Sequence, residues 1–399
     1  MSSRNIVFFT QDKPALEGSG KSIRLMNWLT YLSGEYEKIY CVYFQYHTES
    51  ITENFNVFPK NIEIIIISPF KISQGVSIWR RCIKGLFYPD HYNLNWYKKI
   101  SAFDSARIIN LLKEENDVFI FRLYLYPVLA KYLPFISKTS KIQLDLDDAE
   151  SDTYRQIMRS QWKRGYFKAW LLMRLGYHST QYYESAIKTK ISTLYYSNPN
   201  DYGLLRTQFQ NLKLQYFPNR VPYQSIPFKP TVEHGVNILF CGSLSYYPNI
   251  DAIYFLLNDI WQTIQQKIPN ARLIIAGNNP SRRLQKKISQ YKSVVLITNP
   301  KSMKDIFQSS MIMIVPLRIG GGTRIKILQA FSYGVPVVTT TIGISGIEAL
   351  DNKSAIIRDT AKEIAEACIL LIQNNENREK LAKAGYQLFV SDHSISLNI

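Results

Sequence analysis

The sequence predicts an α/β protein built from two doubly wound domains, each with a parallel sheet covered by helices on both faces. Short apolar runs alternate with longer helical stretches along the chain, as expected for buried parallel strands joined by crossover helices. Four prolines among polar residues interrupt this rhythm between Pro218 and Gly235, and such a stretch is typical of an interdomain linker. The length of 399 residues is enough for two domains.

Apolar runs of strand length define the elements on each side of the linker. The strands predicted before it are Asn5–Thr10, Lys38–Phe44, Ile62–Ile67, Asp117–Phe121, Lys141–Asp145, Ile191–Tyr196 and Leu212–Phe217. Those predicted after it are Val236–Cys241, Arg272–Ala276, Val294–Ile297, Met311–Val315 and Val335–Thr339. The clearest helical patterns are Ser22–Ser33, Trp96–Glu115, Asn249–Lys267, Ala361–Gln373 and Asn377–Leu388.

These elements suggest domain boundaries. We predict an N-terminal domain at 1–222, a linker at 223–235 and a C-terminal domain at 236–385. The remaining tail, 386–399, is expected to pack back toward the N-terminal domain.

Charge and cysteine content narrow the class of protein. The net charge is +17, from 48 basic and 31 acidic residues, which favours anionic partners such as nucleic acid, anionic lipid or phosphorylated substrates. The four cysteines are scattered without a CxxC pair, which predicts reduced thiols in a cytoplasmic protein; they are Cys41, Cys82, Cys241 and Cys368. No signal peptide is expected, because the N-terminus leads directly into a strand. No membrane-spanning segment is expected, because no apolar run approaches the roughly 20 residues that a span requires.

The most informative stretch is Pro316–Ala330, which joins a buried strand to a helix through Gly320, Gly321 and Gly322. Glycines let the backbone approach a ligand closely, and the unpaired N–H groups of a first helical turn favour an anion. Arg324 and Lys326 add positive charge in that turn, which is unfavourable unless an anion accompanies it. The stretch therefore predicts a phosphate or diphosphate site; the alternative is a glycine turn with solvated charges.

Two other predicted strands of the C-terminal domain also end at glycine. Gly242 and Ser243 follow the first of them, and Gly277 follows the second. Because parallel strands end at the same edge of a sheet, these positions and the glycine loop are expected to line one rim, where a nucleotide could lie.

The residues around these strand ends resemble the group 1 glycosyltransferases, also called glycosyltransferase family 4. The resemblance rests on the stretches Phe240–Ala252, Ile274–Gly277, Val315–Lys326 and Gly334–Val338, and more weakly on Tyr216–Val221. It implies a nucleotide-sugar-dependent enzyme of bacterial cell-surface polysaccharide synthesis, with two facing Rossmann-like domains of the GT-B type and a cleft between them. It further implies that the C-terminal domain holds the donor, that the N-terminal domain holds the acceptor, and that anomeric configuration is retained.

The donor site predicted from these observations has two parts. Arg324, Lys326 and the helix N-terminus would neutralise the departing diphosphate, so that no metal or other cofactor is needed. The donor itself would contact the residues of the three strand ends and the following helix, namely Gly242, Ser243, Gly277, Gly320, Gly321, Gly322, Thr323 and Gln329.

The sequence departs from the resembling family at Gln329 and Gly321. The family usually has a glutamate at the position of Gln329, where it holds the ribose hydroxyls of the donor, and many members have another glutamate at the position of Gly321. A neutral amide can still bind a diol, although charge-assisted hydrogen bonds are stronger. We therefore expect Gln329 to contact the ribose, and an inactive or atypical transferase is the alternative.

Carboxylates and a glycine loop are the candidate features of the N-terminal domain. Four acids lie between Asp145 and Glu150 at a predicted strand end, where they can bind a metal, act as a base or cap the next helix. We predict that Asp147 and Asp148 act in catalysis and that Glu150 contacts the acceptor. The five histidines form no ligand-spaced pair, so no metal site is predicted.

The stretch Ala15–Ser22 nearly matches a phosphate-binding P-loop, with alanine in place of its first glycine. No apolar strand ending in a magnesium-holding aspartate accompanies it. In the resembling family a glycine loop at this position faces acceptor and donor, so Gly18, Ser19 and Gly20 are predicted on the acceptor side.

Residues 151–190 combine eight basic residues with regularly spaced aromatic ones. Trp162, Tyr166, Trp170, Met173 and Tyr177 recur every three or four residues, which predicts one helical face. Such a helix can lie on anionic lipid. The alternatives are a core-facing helix with a solvated basic face and, as a minor interpretation, a surface for single-stranded nucleic acid.

Together these observations favour a glycosyltransferase that moves a sugar from a nucleoside diphosphate to a lipid-linked or oligosaccharide acceptor. We expect a cytoplasmic protein, peripheral on the inner face of the plasma membrane, with nucleotide sugar as donor and no nucleic-acid partner. A nucleotide-sugar epimerase on the same architecture, and a noncatalytic membrane-surface partner of a glycan assembly complex, are the alternatives.

Overall fold

The structure, a computed structural model, describes residues 4–13, 20–45, 58–67, 100–163, 165–222 and 235–395. Contacts divide the described chain into two compact units. Unit 1 comprises residues 4–13, 25–45, 58–67 and 100–217, and unit 2 comprises residues 20–24, 218–222 and 235–395. The predicted domain boundaries stay predictions, since nearly all of the predicted linker lies outside the described residues.

Unit 1 contains a parallel sheet of seven strands in the order β3-β2-β1-β4-β5-β6-β7. The strands are β1 (Ile6–Thr10), β2 (Ile39–Phe44), β3 (Ile62–Ile67), β4 (Asp117–Phe121), β5 (Ile142–Asp147), β6 (Thr193–Tyr196) and β7 (Lys213–Tyr216). The order reverses between β1 and β4, which pair in parallel from Ile6 beside Asp117 onward. Ligands of open α/β sheets bind at the carboxyl ends of the strands beside such a reversal.

Unit 2 contains a parallel sheet of six strands in the order β11-β10-β9-β12-β13-β14. Its strands are β9 (Asn237–Cys241), β10 (Arg272–Gly277), β11 (Val294–Thr298), β12 (Ile312–Val315), β13 (Val337–Thr339) and β14 (Ile356–Ile357). A separate parallel pair joins β8 (Val221–Pro222) to β15 (Ser394–Ile395). The second reversal of order lies between β9 and β12, which precede Gly242 and the glycine loop respectively.

Helices connect the strands in both units. The helix Gly20–Glu35 begins in unit 2 and continues in unit 1, whose other helices are Ala102–Lys113, Tyr126–Leu129, Glu150–Lys163, Phe167–Ile187 and Tyr202–Gln208. In unit 2 they are Tyr247–Phe255, Trp261–Lys267, Arg282–Ile288, Lys304–Gln308, Ile325–Ser332, Thr341–Ile344, Ala361–Gln373 and Asn375–Leu388. The predicted class of two doubly wound α/β domains is therefore confirmed.

Each unit has its own apolar core, as two such domains require. Strand β1 is fully buried, and so is β12, because both occupy central positions in their sheets. Cys41, Cys241 and Cys368 are buried and unbonded, and Cys82 lies outside the described residues. In the part of the chain that the structure describes, no helix is long and apolar enough to cross a membrane.

Two predicted helices differ from the structure. The predicted helix Asn249–Lys267 contains a π-helical turn, Leu256–Ile260, between two α-helical parts. The single helical face predicted within 151–190 is wrong: the segment is a hairpin of two helices, Glu150–Lys163 and Phe167–Ile187. Gly165 has φ +71°, a value that glycine adopts without strain, and this allows the chain to reverse there.

Candidate active site

The glycine-bearing strand ends of unit 2 meet backbone to backbone. Gly242 follows β9 with φ +147°, and its amide N–H donates to the carbonyl of Ala276 over 3.0 Å. A Cβ added at Gly277 would lie 1.8 Å from the carbonyl oxygen of Gly242, which no side chain can occupy. Packing therefore requires glycine at position 277, and the backbone conformation favours glycine at position 242, so backbone lines this part of the rim.

Lys326 lies directly against the same rim. Its Nζ donates to Oδ1 of Asn249 over 2.7 Å and sits 4.7 Å from the centre of the Phe240 ring. A Cβ at Gly242 would lie 2.7 Å from Nζ, so a larger residue there would displace the lysine ammonium. Burial, together with the charge of Arg324, lowers the pKa of the Lys326 ammonium to about 8. An anion bound here would stabilise the charged form.

The Arg324 side chain folds back onto the glycine loop that precedes it. Its Nη1 donates to the carbonyl oxygens of Gly321 and Gly322, the latter over 3.0 Å. Gly320 has φ +127°, and a Cβ added to it would lie 2.9 Å from Nη2 of Arg324. The loop glycines thus provide both the backbone conformation and the space for the guanidinium group, and two cations gather at the start of helix Ile325–Ser332.

Asn249 is a site residue that the sequence interpretation did not single out. It is buried, and its Nδ2 donates to the carbonyl of Ser243 over 2.9 Å while its Oδ1 accepts from Lys326. One side chain therefore joins the loop after β9 to the glycine-loop helix. A polar residue directly after Pro248, among apolar residues of a helix start, was the available signal.

The sequence interpretation also did not identify Arg318 as a site residue. Its Nε and Nη2 donate to the two carboxylate oxygens of Asp251 over 3.0 and 3.1 Å, and its guanidinium carbon lies 4.2 Å from the centre of the Phe255 ring. Asp251 is almost completely buried. This bidentate pair fixes the start of the glycine loop to helix Tyr247–Phe255 and so sets the position of the loop.

The other predicted donor residues lie around this core. Thr323 is buried, and Ser243 is exposed with its hydroxyl 3.1 Å from that of Ser245. Gln329 is half-buried and follows Lys326 by three positions in the same helix, so the two side chains share a face. The structure thus brings the predicted donor-binding residues into one region of unit 2.

Comparison with known proteins finds a family that this region resembles. Residues 235–374, less than half of the chain, match the family described as glycosyl transferases group 1. The similarity to this family is confined to the matched segment, which we call the group 1 domain. It contains both glycine strand ends, the glycine loop, Asn249 and Lys326, so the sequence resemblance is confirmed.

The chain is also similar to another protein in sequence and to solved structures in fold. An uncharacterized 44.6 kDa protein of the cps region of Klebsiella pneumoniae is 28% identical over 176 residues, which are 42% of this chain and 45% of that protein. A variant of S. aureus TarM, solved with fondaparinux, alpha-GlcNAc-glycerol and UDP, has a TM-score of 0.69 at 10% identity, over 98% of this chain and 97% of its own.

WaaG, a glycosyltransferase involved in lipopolysaccharide biosynthesis, has a TM-score of 0.64 at 13% identity, over 97% of this chain and 95% of its own. These similarities cover both units and confirm the predicted GT-B fold class.

The predicted residues before the group 1 domain are more scattered. Asp147 ends β5, Asp148 follows it, and Glu150 begins the next helix, so all three lie at the carboxyl edge of the first sheet. Gly20 belongs to unit 2, where an added Cβ would lie 3.3 Å from Cδ1 of Ile325 at the start of the glycine-loop helix. Gly18 and Ser19 lie outside the described residues.

Aromatic side chains gather at the turn of the helical hairpin in unit 1. Trp162, Tyr166 and Phe167 are 61%, 50% and 59% exposed, and the Trp162 and Trp170 rings lie 5.3 Å apart. Arg174 places its guanidinium carbon 5.3 Å from the centre of the Trp170 ring. We call Trp162, Tyr166, Phe167 and Trp170 the hairpin tip. Among the described residues, no three His, Cys, Asp or Glu side chains are arranged to hold a metal ion.

Proposed function

We propose that this protein is a glycosyltransferase that moves a sugar from a nucleoside diphosphate to a glycan acceptor in the synthesis of a cell-surface polysaccharide. The observation that carries the proposal is the convergence of two glycine strand ends, the glycine loop and Lys326 in the group 1 domain. The UDP bound by TarM and the pathway named for WaaG support the choice of donor class and process.

The proposed reaction breaks the bond between the anomeric carbon and the diphosphate and forms a bond to an acceptor oxygen. Lys326, Arg324 and the helix N-terminus stabilise the negative charge that develops on the leaving diphosphate. With these cations in place the reaction needs no metal ion, and the anomeric configuration is retained. Asp147 and Asp148 bind the acceptor hydroxyl and assist the loss of its proton, and Glu150 contributes to acceptor binding.

Incubation with a panel of UDP-, GDP- and ADP-sugars tests the function. A transferase is expected to release nucleoside diphosphate slowly by transfer of the sugar to water, and to do so equally in the presence of EDTA. Interconversion of one nucleotide sugar into another would instead indicate an epimerase. Binding of nucleotide without turnover, with every acceptor offered, would indicate a noncatalytic partner of an assembly complex.

We expect Gln329→Glu to tighten binding of the active donor by about threefold to tenfold, because a carboxylate forms stronger hydrogen bonds to a ribose diol than an amide does. Gln329→Ala should weaken binding by a similar factor. Calorimetry with UDP measures both. If Gln329→Ala binds UDP as wild type does, the residue does not contact the ribose.

The proposed acceptor is lipid-linked, and the hairpin tip is the proposed contact with an anionic membrane surface. Exposed tryptophan and phenylalanine rings favour the headgroup region of a bilayer, where they leave water while remaining near polar groups. Arg159 and Arg174, both exposed in the same hairpin, can pair with lipid phosphates. This contact would place the protein on the inner face of the plasma membrane.

Liposome flotation tests this contact. Wild type should float with vesicles that contain phosphatidylglycerol, and 0.5 M salt should release most of it because salt screens surface charges. Replacing Trp162, Tyr166 and Phe167 by serine should reduce flotation about tenfold. Phe103→Ser is the matched control, since Phe103 is 77% exposed on another helix of the same unit. Equal flotation of the two variants would exclude the hairpin tip as the contact.

A further inference from the structure

A second group of polar residues lies where the first sheet reverses its strand order. Asp12 follows β1, Arg122 and Tyr124 follow β4, and Asp147 ends β5. These three strands are neighbours in the sheet, so their carboxyl ends meet at the position where open α/β sheets bind ligands. We call these four residues the rim cluster. Of them, the sequence interpretation identified Asp147.

An ion pair and a hydrogen bond to a carboxylate hold the side chains of the rim cluster. Arg122 donates through Nη1 to a carboxylate oxygen of Asp147, and their side chains are 7% and 18% exposed. The hydroxyl of Tyr124 donates to the carboxylate of Asp12. The backbone N–H of Asp12 in turn donates to the hydroxyl of Thr10 over 3.0 Å. Burial lowers the pKa of the Arg122 guanidinium, but the charges of Asp147 and Asp145 outweigh it and raise that pKa overall.

Both residues of the ion pair have a positive φ, which an arginine rarely adopts and an aspartate adopts more easily. Arg122 has φ 85° and ψ 141°, and Asp147 has φ 64°. The other non-glycine residues with positive φ in the described chain are all asparagines, which tolerate this region better; they are Asn279, Asn299 and Asn352. Strained residues persist where the surrounding structure holds them in place, and they cluster at functional sites.

Arg122 is also incompletely satisfied. Its Nε–H is buried, and no acceptor lies within hydrogen-bonding distance of it in the part of the chain that the structure describes. The residue as a whole is 6% exposed. A buried cation with an unpaired donor costs folding free energy, and so does a strained backbone. Neutralising the nearby carboxylates explains a cation at this position, but it does not explain the unpaired Nε–H or the positive φ of Arg122.

We infer that the rim cluster binds a hydroxyl-bearing sugar of the acceptor through Asp147 and Asp12, and that Arg122 is the positioning residue that holds the Asp147 carboxylate in place. This inference rests on the proposed transferase function and adds Arg122, Asp12 and Tyr124 to it. Carboxylates accept hydrogen bonds from sugar hydroxyls, and the partial exposure of Asp147 leaves it within reach of a ligand.

The test compares Arg122→Gln and Arg122→Lys with wild type, using octyl glycosides of common hexoses as acceptors and the active donor of the panel above. Arg122→Gln should raise the KM for the octyl glycoside at least tenfold and lower transfer, while affinity for UDP stays within twofold. Arg122→Lys, which keeps the charge, should restore part of the transfer. Arg107→Gln is the matched control, because Arg107 pairs with Glu63 at 3.7 Å on the exposed surface.

The outcomes separate this inference from the proposed function. Unchanged transfer in Arg122→Gln, or an equal loss of UDP affinity and transfer, would overturn the positioning role. Wild type that hydrolyses the donor but transfers sugar to none of the glycosides counts against the acceptor assignment. Wild type that turns over no donor contradicts the transferase function itself. If Arg122→Gln fails to fold, Arg122→Lys alone carries the comparison: a raised KM for the octyl glycoside with unchanged UDP affinity supports the positioning role, and wild-type transfer would overturn it.

Discussion

Lys326→Ala is expected to weaken binding of UDP about 100-fold. The ammonium group lies 2.7 Å from Asn249 and against the backbone at Gly242, where a diphosphate would meet both the lysine and the N-terminus of its helix. Loss of a charged partner in a partly buried site costs about 2–4 kcal/mol, and every 1.4 kcal/mol is a factor of ten. Calorimetry with UDP measures the change.

The pH dependence of UDP binding gives an independent measure of the same group. Since the pKa of Lys326 is lowered to about 8, the favourable charge is fully present below that pH and is lost as pH rises through it. Wild-type affinity should therefore fall between pH 7 and 9, whereas the weaker affinity of Lys326→Ala should stay constant over that range.

Lys287→Ala provides the control for both measurements. Lys287 lies in another helix of unit 2, 5.3 Å from the centre of the Tyr291 ring, and it should affect neither affinity nor its pH dependence. If Lys326→Ala and Lys287→Ala bind UDP alike, the diphosphate does not lie at the glycine loop.

Gly277→Ala is expected to destabilise unit 2 by about 3 kcal/mol or more and to abolish UDP binding. The new Cβ would overlap the carbonyl oxygen of Gly242, and a backbone atom cannot move aside as a side chain can. Overpacking a core typically costs about 1–3 kcal/mol of folding free energy. A clash with backbone should cost at least as much as the upper end of that range, because the backbone cannot change rotamer. For a unit of this size the unfolding temperature should fall by about 6–12 °C.

Gly203→Ala is the matched control for this substitution. Gly203 lies in helix Tyr202–Gln208, and an added Cβ would meet no atom within 4 Å. Alanine is favoured over glycine in a helix by about 1 kcal/mol, so this variant should be equally stable or slightly more stable. A Gly277→Ala protein that unfolds at the temperature of Gly203→Ala would contradict the packing described for the rim.

The sequence predicted the framework of the fold because buried parallel strands have a local signature. Strands such as Ile62–Ile67 and Asp117–Phe121 were predicted with the bounds that the structure has. For residues 151–190 the prediction from spacing was wrong, because aromatic residues every three or four positions indicated one helix. The turn at Gly165 changes the direction of the chain, so Trp162 and Trp170 meet across a hairpin rather than along one face.

What the sequence determined by itself was the α/β class, the resemblance of the stretches between Phe240 and Val338 to the group 1 glycosyltransferases, and the glycines and cations of the predicted donor region. Each is encoded by neighbours within one strand, loop and helix, where local backbone geometry decides the structure. Only the tertiary structure revealed Asn249 beside Lys326 and Arg122 beside Asp147, pairs separated by 77 and 25 positions. Such pairs depend on strand order, because parallel strands adjacent in a sheet can be distant in sequence, and no local pattern records which ends will meet.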